Sequence, residues 1–190
     1  MAGTVSAAFE ETAMRAGAAE FIADPSQNFT LSYADALIEI EALARRYRDA
    51  GYGHGHRVAL LLENRPAFLL HWMALNALGV AVVPVNPYYR KRELSHLLRH
   101  SGVILAVVLA ERLEDVRAAA ECALAIAGAE EIPPAASPPP RAEAPTGESL
   151  CGLLYTSGTS GEPKGCLLGN DYYLAMGSWY VSQGGLCAVE

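Results

Sequence analysis

Three short runs of almost uninterrupted aliphatic residues recur along the chain: Val58–Leu62, Val80–Val85 and Ile104–Val108. Segments of helical length separate them. A strand wet on one face alternates apolar with polar residues, whereas a run apolar at every position must be covered on both faces. Helices between such runs supply the cover. The expected fold class is therefore α/β: a doubly wound, mostly parallel sheet with helices on both faces.

The intervening segments have helical spacing. Ser32 with Asp35 three positions on resembles a capping box. Apolar residues then recur at Tyr33, Ala36, Leu37, Ile40, Leu43 and Tyr47, and Gly51 supplies the stop. Asn64-Arg65-Pro66 starts a second helix with proline in its first turn. That helix is apolar nearly all round, through Phe68, Leu70, Trp72, Met73 and Leu75, and so is expected to be buried. Lys91–His100 carries Leu94, Leu97 and Leu98 on one face before Ser101-Gly102, and Glu111–Ala120 reads as a further helix. A weaker strand is expected near Leu124–Ala127.

Composition then shifts. Six of the 11 prolines fall between Pro133 and Pro145. Proline removes backbone donors and favours extended chain, so residues 131–149 read as an exposed linker. Beyond it, Leu150–Tyr155 reads as a strand, followed by a glycine-rich loop and a helix from about Asp171 to Ser182. The expected organisation is an α/β subdomain over 1–130, the linker over 131–149, and the truncated start of a second subdomain over 150–190.

Several function classes lose support. The 190 residues carry a net charge of −7, which argues against a nucleic-acid surface. The stretch from Phe68 to Val85 is long enough to imitate a membrane span. His71 and Asn76 interrupt it, however, and Gly79 divides a helix-like half from a β-branched half, so no transmembrane segment is expected. Cys122, Cys151, Cys166 and Cys187 contain no C-x-x-C pair and read as reduced thiols in a cytoplasmic protein.

Chemistry concentrates in Tyr155-Thr-Ser-Gly-Thr-Ser-Gly-Glu-Pro-Lys-Gly165. Three glycines let the backbone bring its N–H groups close to a ligand. Thr156, Ser157, Thr159 and Ser160 add hydroxyls, and Lys164 adds a positive charge. Lys91 and Lys164 are the only lysines among 14 basic residues. Amides, hydroxyls and one ammonium together suit a polyphosphate. The loop is not a Walker A sequence, because Pro163 precedes the lysine and Gly165 follows it. Nor does it contain G-x-G-x-x-G.

The segment LLYTSGTSGEPKG, Leu153–Gly165, resembles the phosphate-loop signature of the adenylate-forming, or AMP-binding, superfamily. Ser160 stands where threonine is commoner, and Cys166 where valine often stands. Upstream, Thr30–Leu37, Gly51–Leu61 and Asn76–Pro87 also resemble that superfamily, and the pattern of residues 76–108 is nearest to acyl-CoA synthetases acting on aliphatic acids. The resemblance implies a two-step reaction. A carboxylate attacks the α-phosphate of ATP to give an acyl-adenylate and pyrophosphate, and the thiol of coenzyme A then displaces AMP. It assigns phosphate binding to Thr156, Ser157, Gly158, Thr159, Ser160, Gly161 and Lys164, with Lys164 also catalytic and Mg²⁺ on the phosphates. No protein ligand for a metal is assigned.

By the same resemblance the adenine, ribose and acyl sites lie beyond Glu190. The chain is thus expected to be an N-terminal portion, not competent in catalysis alone, whose uncovered surface drives self-association. The alternative is a non-catalytic nucleotide-binding fragment, or an assembly partner of a separately encoded remainder. Other polar candidates read as structural. His96 and His100, spaced i, i+4, lack a third metal ligand, and His54 and His56 read as a turn. His71 reads as a hydrogen-bonded core residue. Tyr172, Tyr173, Trp179 and Tyr180 read as helix packing.

Overall fold

The computed structural model describes residues 3–25, 28–121, 124–156 and 163–183. The chain opens with helix α1 (Val5–Ala16) and an antiparallel pair, β1 (Glu20–Asp24) and β2 (Phe29–Ser32). The alternating part follows as α2 (Tyr33–Asp49), β3 (Arg57–Leu61), α3 (Pro66–Ala77), β4 (Ala81–Pro84), α4 (Lys91–Ser101), β5 (Leu105–Val108), α5 (Leu113–Ala119) and β6 (Ala125–Gly128). After the proline-rich segment come β7 (Leu150–Thr156), β8 (Lys164–Gly169) and α6 (Asn170–Ser182). Six strands form one sheet in the order β6-β5-β3-β4-β7-β8. All neighbours are parallel except β8, which runs antiparallel to β7.

Strand pleating sends alternate residues to two separate cores. Val58, Leu60, Val82, Leu105 and Val107 face α1, α2 and α3, where they meet Ile40, Ala44, Leu70 and Leu75. Ala59, Leu61, Val83, Ala106 and Val108 face the other way, onto Leu94, Leu97 and Leu98 of α4 and Val116 of α5. Each aliphatic run is therefore covered twice, as its composition requires. The Ser32 side chain accepts a hydrogen bond from the Asp35 N–H at 3.1 Å, capping α2. Pro66 occupies the first turn of α3, and Gly102 ends α4 at φ 65°, a conformation suited to glycine.

The proline-rich segment lies exposed but is not detached. Its backbone runs along the turn between α2 and β3: the N–H groups of Ala136 and Arg141 donate to the carbonyls of Ala50 and His54, each at 2.8 Å. The Tyr52 hydroxyl donates to the Pro134 carbonyl and His56 Nε2 to that of Pro138. Proline lacks an N–H but keeps its carbonyl, so it can still accept these bonds.

Four elements escape the sequence pattern. The chain before α2 contains α1, β1 and β2, and Lys164–Gly169 forms β8 although it reads as loop. Only two of the β8 residues are aliphatic, and Leu167 is 64 % exposed. Such an edge strand lacks the alternation that marks a half-buried one. The aromatic cluster of α6 also departs from expectation. Tyr173 packs against Trp72 with ring centroids 5.3 Å apart, but Tyr172, Trp179 and Tyr180 are exposed. The helix rests on α1 and β8 at the end of the sheet, so one face alone is covered.

Candidate functional site

Parallel strands in an open α/β sheet present ligands at their carboxyl edge. Thr156 ends β7 at that edge, beside β4, and Lys164 begins β8 directly across from it in the hairpin register. Both residues are exposed. The structure thus brings the two described members of the expected site together at the mouth of one hairpin. Ser157, Gly158, Thr159, Ser160 and Gly161 lie outside the described residues. Next to Lys164, a Cβ on Gly165 would stand 2.8 Å from Leu153 Cδ1, so a side chain there would require that leucine to shift.

Two asparagines that the sequence reading did not single out as site residues anchor this hairpin. Asn170, at the start of α6, is buried, and its amide uses all of its near partners. Oδ1 accepts from the Val5 N–H at 3.0 Å and from Asn76 Nδ2 at 2.8 Å. Nδ2 donates to the carbonyls of Thr146 at 3.2 Å and Ser149 at 3.0 Å. Asn76, in α3, accepts from the Ser6 N–H and donates to Cys151 Sγ at 3.2 Å. The first N–H groups of a helix have no partner within it, and here Val5 and Ser6 of α1 find theirs on these two side chains. The pair ties α1, α3, β7 and α6 into one block. An asparagine inside an apolar, buried helix needs a polar partner, so Asn76 signalled a network even though its partner could not be read.

Two histidines hold the hairpin from the other side of the sheet. His100 Nδ1 lies 2.7 Å from the Tyr155 hydroxyl, and His96 Nε2 donates to the Pro163 carbonyl at 3.3 Å. Their rings stack 5.4 Å apart. Burial pushes the Tyr155 phenol up from its ordinary pKa against the opposing charge of Arg57, so it stays protonated. The i, i+4 spacing thus contacts the residues that flank the loop. Among the described residues no group of three His, Cys, Asp or Glu side chains is arranged to hold a metal.

The remaining histidines have structural partners. His71 is buried, and its Nδ1 lies 2.7 Å from the Tyr47 hydroxyl. Desolvation lowers its pKa to about 4, assisted by the Arg46 charge and opposed by a hydrogen bond with the Ala129 backbone. His54 and His56 lie in the turn under the proline-rich segment, with both ring nitrogens of each engaged. Burial raises the Cys151 thiol to about 11, which keeps it unreactive. No described helix is long and apolar enough to cross a membrane.

A mostly parallel α/β sheet with Thr156 and Lys164 paired at its carboxyl edge is the architecture these residues build. The sequence model of the AMP-binding enzymes matches residues 9–187, and the chain belongs to that family. It is 37% identical over 139 residues to a feruloyl-CoA synthase of Amycolatopsis sp, covering 73% of this chain and 28% of that one. To the long-chain-fatty-acid–CoA ligase FadD13 of Mycobacterium tuberculosis it is 31% identical over 171 residues, covering 82% and 33%. The chain therefore spans about a third of these relatives. Its fold matches an inhibitor-bound N-terminal domain of FACL13 from Mycobacterium tuberculosis with a TM-score of 0.80 at 24% identity, covering 94% of this chain and 48% of that one.

Proposed function

We propose that this chain is the phosphate-binding N-terminal portion of an ATP-dependent acyl-CoA synthetase, which joins a carboxylic acid to coenzyme A through an acyl-adenylate. The observation that carries the reading is the juxtaposition of Thr156 and Lys164 across the hairpin that bears the loop signature. The CoA-linked names of both curated relatives favour a CoA thioester over other fates of the adenylate.

The chemical difficulty is charge. An anionic carboxylate approaches a polyanion, and the departing pyrophosphate gains charge as it leaves. Fixed donors aimed at those oxygens lower the barrier because they need no reorganisation during the step. In this reading the Lys164 ammonium neutralises phosphate oxygens, the Thr156 hydroxyl donates to one, and the amides and hydroxyls of Ser157, Gly158, Thr159, Ser160 and Gly161 complete the cradle. Mg²⁺, when bound, adds further charge neutralisation on the phosphates. The substrate carboxylate is the nucleophile, so no protein nucleophile is needed.

The test has two parts. Calorimetry with MgATP should give saturable binding that Lys164→Ala weakens about tenfold or more, the range for losing one charge-assisted contact. Native protein isolated from its source cells should catalyse ATP–pyrophosphate exchange that depends on an added carboxylic acid. Binding that ignores Lys164 would remove the phosphate assignment. Exchange with no acid in a broad aliphatic and aromatic panel would remove the ligase reading.

A further inference from the structure

We infer that Ser149 and His54 form a nucleophile–base pair at the amino edge of the sheet, a second site that cleaves small carboxylic esters through an acyl-serine. Ser149 stands just before β7 and His54 in the turn before β3, at the edge opposite Thr156 and Lys164. β3 has five residues, so roughly 16 Å of strand separates the two edges.

The hydrogen bonds fix the role of each atom. His54 Nδ1 lies 2.8 Å from the Glu143 carbonyl. A carbonyl can only accept, so Nδ1 carries the hydrogen. In the neutral ring Nε2 is then an acceptor, and the group beside it is the Ser149 hydroxyl at 3.2 Å. Ser149 Oγ also accepts from the Thr146 N–H at 2.9 Å, while the Thr146 hydroxyl stands farther off at 3.5 Å. The serine hydrogen therefore points at Nε2, and one lone pair on Oγ stays open. A hydroxyl bonded to a base that a third group orients is the arrangement that activates serine.

The surroundings leave space for a substrate and hold a cation beside it. His54, Thr146 and Ser149 share a cavity of about 330 Å³ with Arg141 and Glu148. Two glycines shape its wall. A Cβ on Gly79 would stand 3.1 Å from His54 Cβ, and one on Gly55 would stand 2.9 Å from Arg141 Nε. Their φ values of 72° and 90° suit glycine. Arg141 makes no ion pair among the described residues, and Glu148, the one carboxylate of the lining, is not joined to it. The guanidinium is thus free to meet an oxyanion.

In the acyl-transfer step Oγ bonds to the ester carbonyl carbon while its proton passes to His54 Nε2. The carbonyl oxygen takes up negative charge, which Arg141 offsets. As the tetrahedral species collapses, the C–O bond to the alcohol breaks and the leaving oxygen receives the proton from Nε2. Water then attacks the acyl-serine with His54 again as base. The acid departs and both side chains are restored. A cavity of this size suits an acyl chain of a few carbons.

The experiment treats the full chain with diisopropyl fluorophosphate, which phosphorylates an activated serine with loss of fluoride, and maps the adduct by peptide mass spectrometry. p-Nitrophenyl acetate serves as the turnover substrate. Ser149 should carry the adduct, and Ser149→Ala should neither label nor hydrolyse above the buffer rate. His54→Asn should label about 100-fold more slowly, as expected for removal of a general base. Asparagine keeps a donor near the position of Nδ1, so the contact with Glu143 can persist while the base is lost. Thermal unfolding shows whether the variants fold, and the wild-type adduct decides the matter if they do not. Lack of an adduct on Ser149 in the wild-type chain, or labelling of folded His54→Asn at the wild-type rate, overturns the inference. No nucleotide enters the assay, so either result leaves the phosphate reading intact.

Discussion

Removing the Asn170 side chain should uncouple the loop-bearing hairpin from the rest of the fold. Of its four hydrogen bonds, three leave partners with other recourse. The Ser149 carbonyl still accepts from the Asn170 backbone N–H at 3.1 Å and the Thr146 carbonyl from the Ser149 N–H at 3.1 Å, and Asn76 Nδ2 still donates to Cys151. The Val5 N–H loses its partner. A buried group left unsatisfied costs about 1–3 kcal/mol, so Asn170→Ala should destabilise by about 2 kcal/mol. For a domain of this length that lowers Tm by about 4–8 °C. Asn170→Asp supplies a sharper signature. Its second oxygen would face the Thr146 and Ser149 carbonyls, an arrangement tolerable only when the carboxyl is protonated. Its folded pKa is then raised above the unfolded value of about 3.9. A raised acid contributes stability below the unfolded pKa and loses it as pH rises through the folded pKa. The Tm deficit of Asn170→Asp relative to wild type should therefore widen between pH 4 and pH 7, while that of Asn170→Ala stays level. Scanning calorimetry of the three proteins reads both effects. A loss under about 2 °C for the alanine variant, or parallel pH dependence for the two, would refute the anchoring role.

Two other outcomes follow from buried titratable groups. His71 is held neutral with a folded pKa of about 4 against 6.5 ordinarily. Its contribution is complete above about pH 6.5 and is lost as pH falls toward 4, by about 3 kcal/mol in all. Denaturant unfolding from pH 7 to pH 4 should show that loss, and His71→Gln should flatten it. Cys151 is buried and its thiol is raised to about 11, whereas Cys166 is exposed. Brief alkylation at pH 8 followed by peptide mapping should mark Cys166 and spare Cys151 until the chain is unfolded, and equal labelling would contradict the burial.

The legible parts of the fold were those set by local rules. Val58–Leu62, Val80–Val85 and Ile104–Val108 declare themselves because double coverage excludes polar residues from every position. The Ser32 cap and the Pro66 start act within one helical turn. The loop was legible as a mark of the AMP-binding family, whose sequence model matches residues 9–187, because its residue types and their order are specific. Partnerships across long separations were not legible. Asn76 and Asn170 stand 94 positions apart, and either alone looks like an isolated amide. His96 and His100 showed a helical spacing, but only the folded hairpin reveals that they meet Tyr155 and Pro163. The proline-rich segment was correctly exposed, yet its hold on the turn at Ala50–His56 depends on carbonyls, which composition does not report.

The strand order has a kinetic consequence. From β3 to β6 each strand follows its predecessor by one crossover, so these four and their helices can assemble progressively from nearby contacts. β7 must return across the sheet to lie beside β4, with β5 and β6 already on the far side of β3. Contacts of such sequence separation form late, because the intervening chain must be closed before they offer any stabilisation. The hairpin that bears the loop should accordingly be the last piece of the sheet to dock and the first to leave. Mutations at Asn76 and Asn170 would then accelerate unfolding while leaving the folding rate nearly constant.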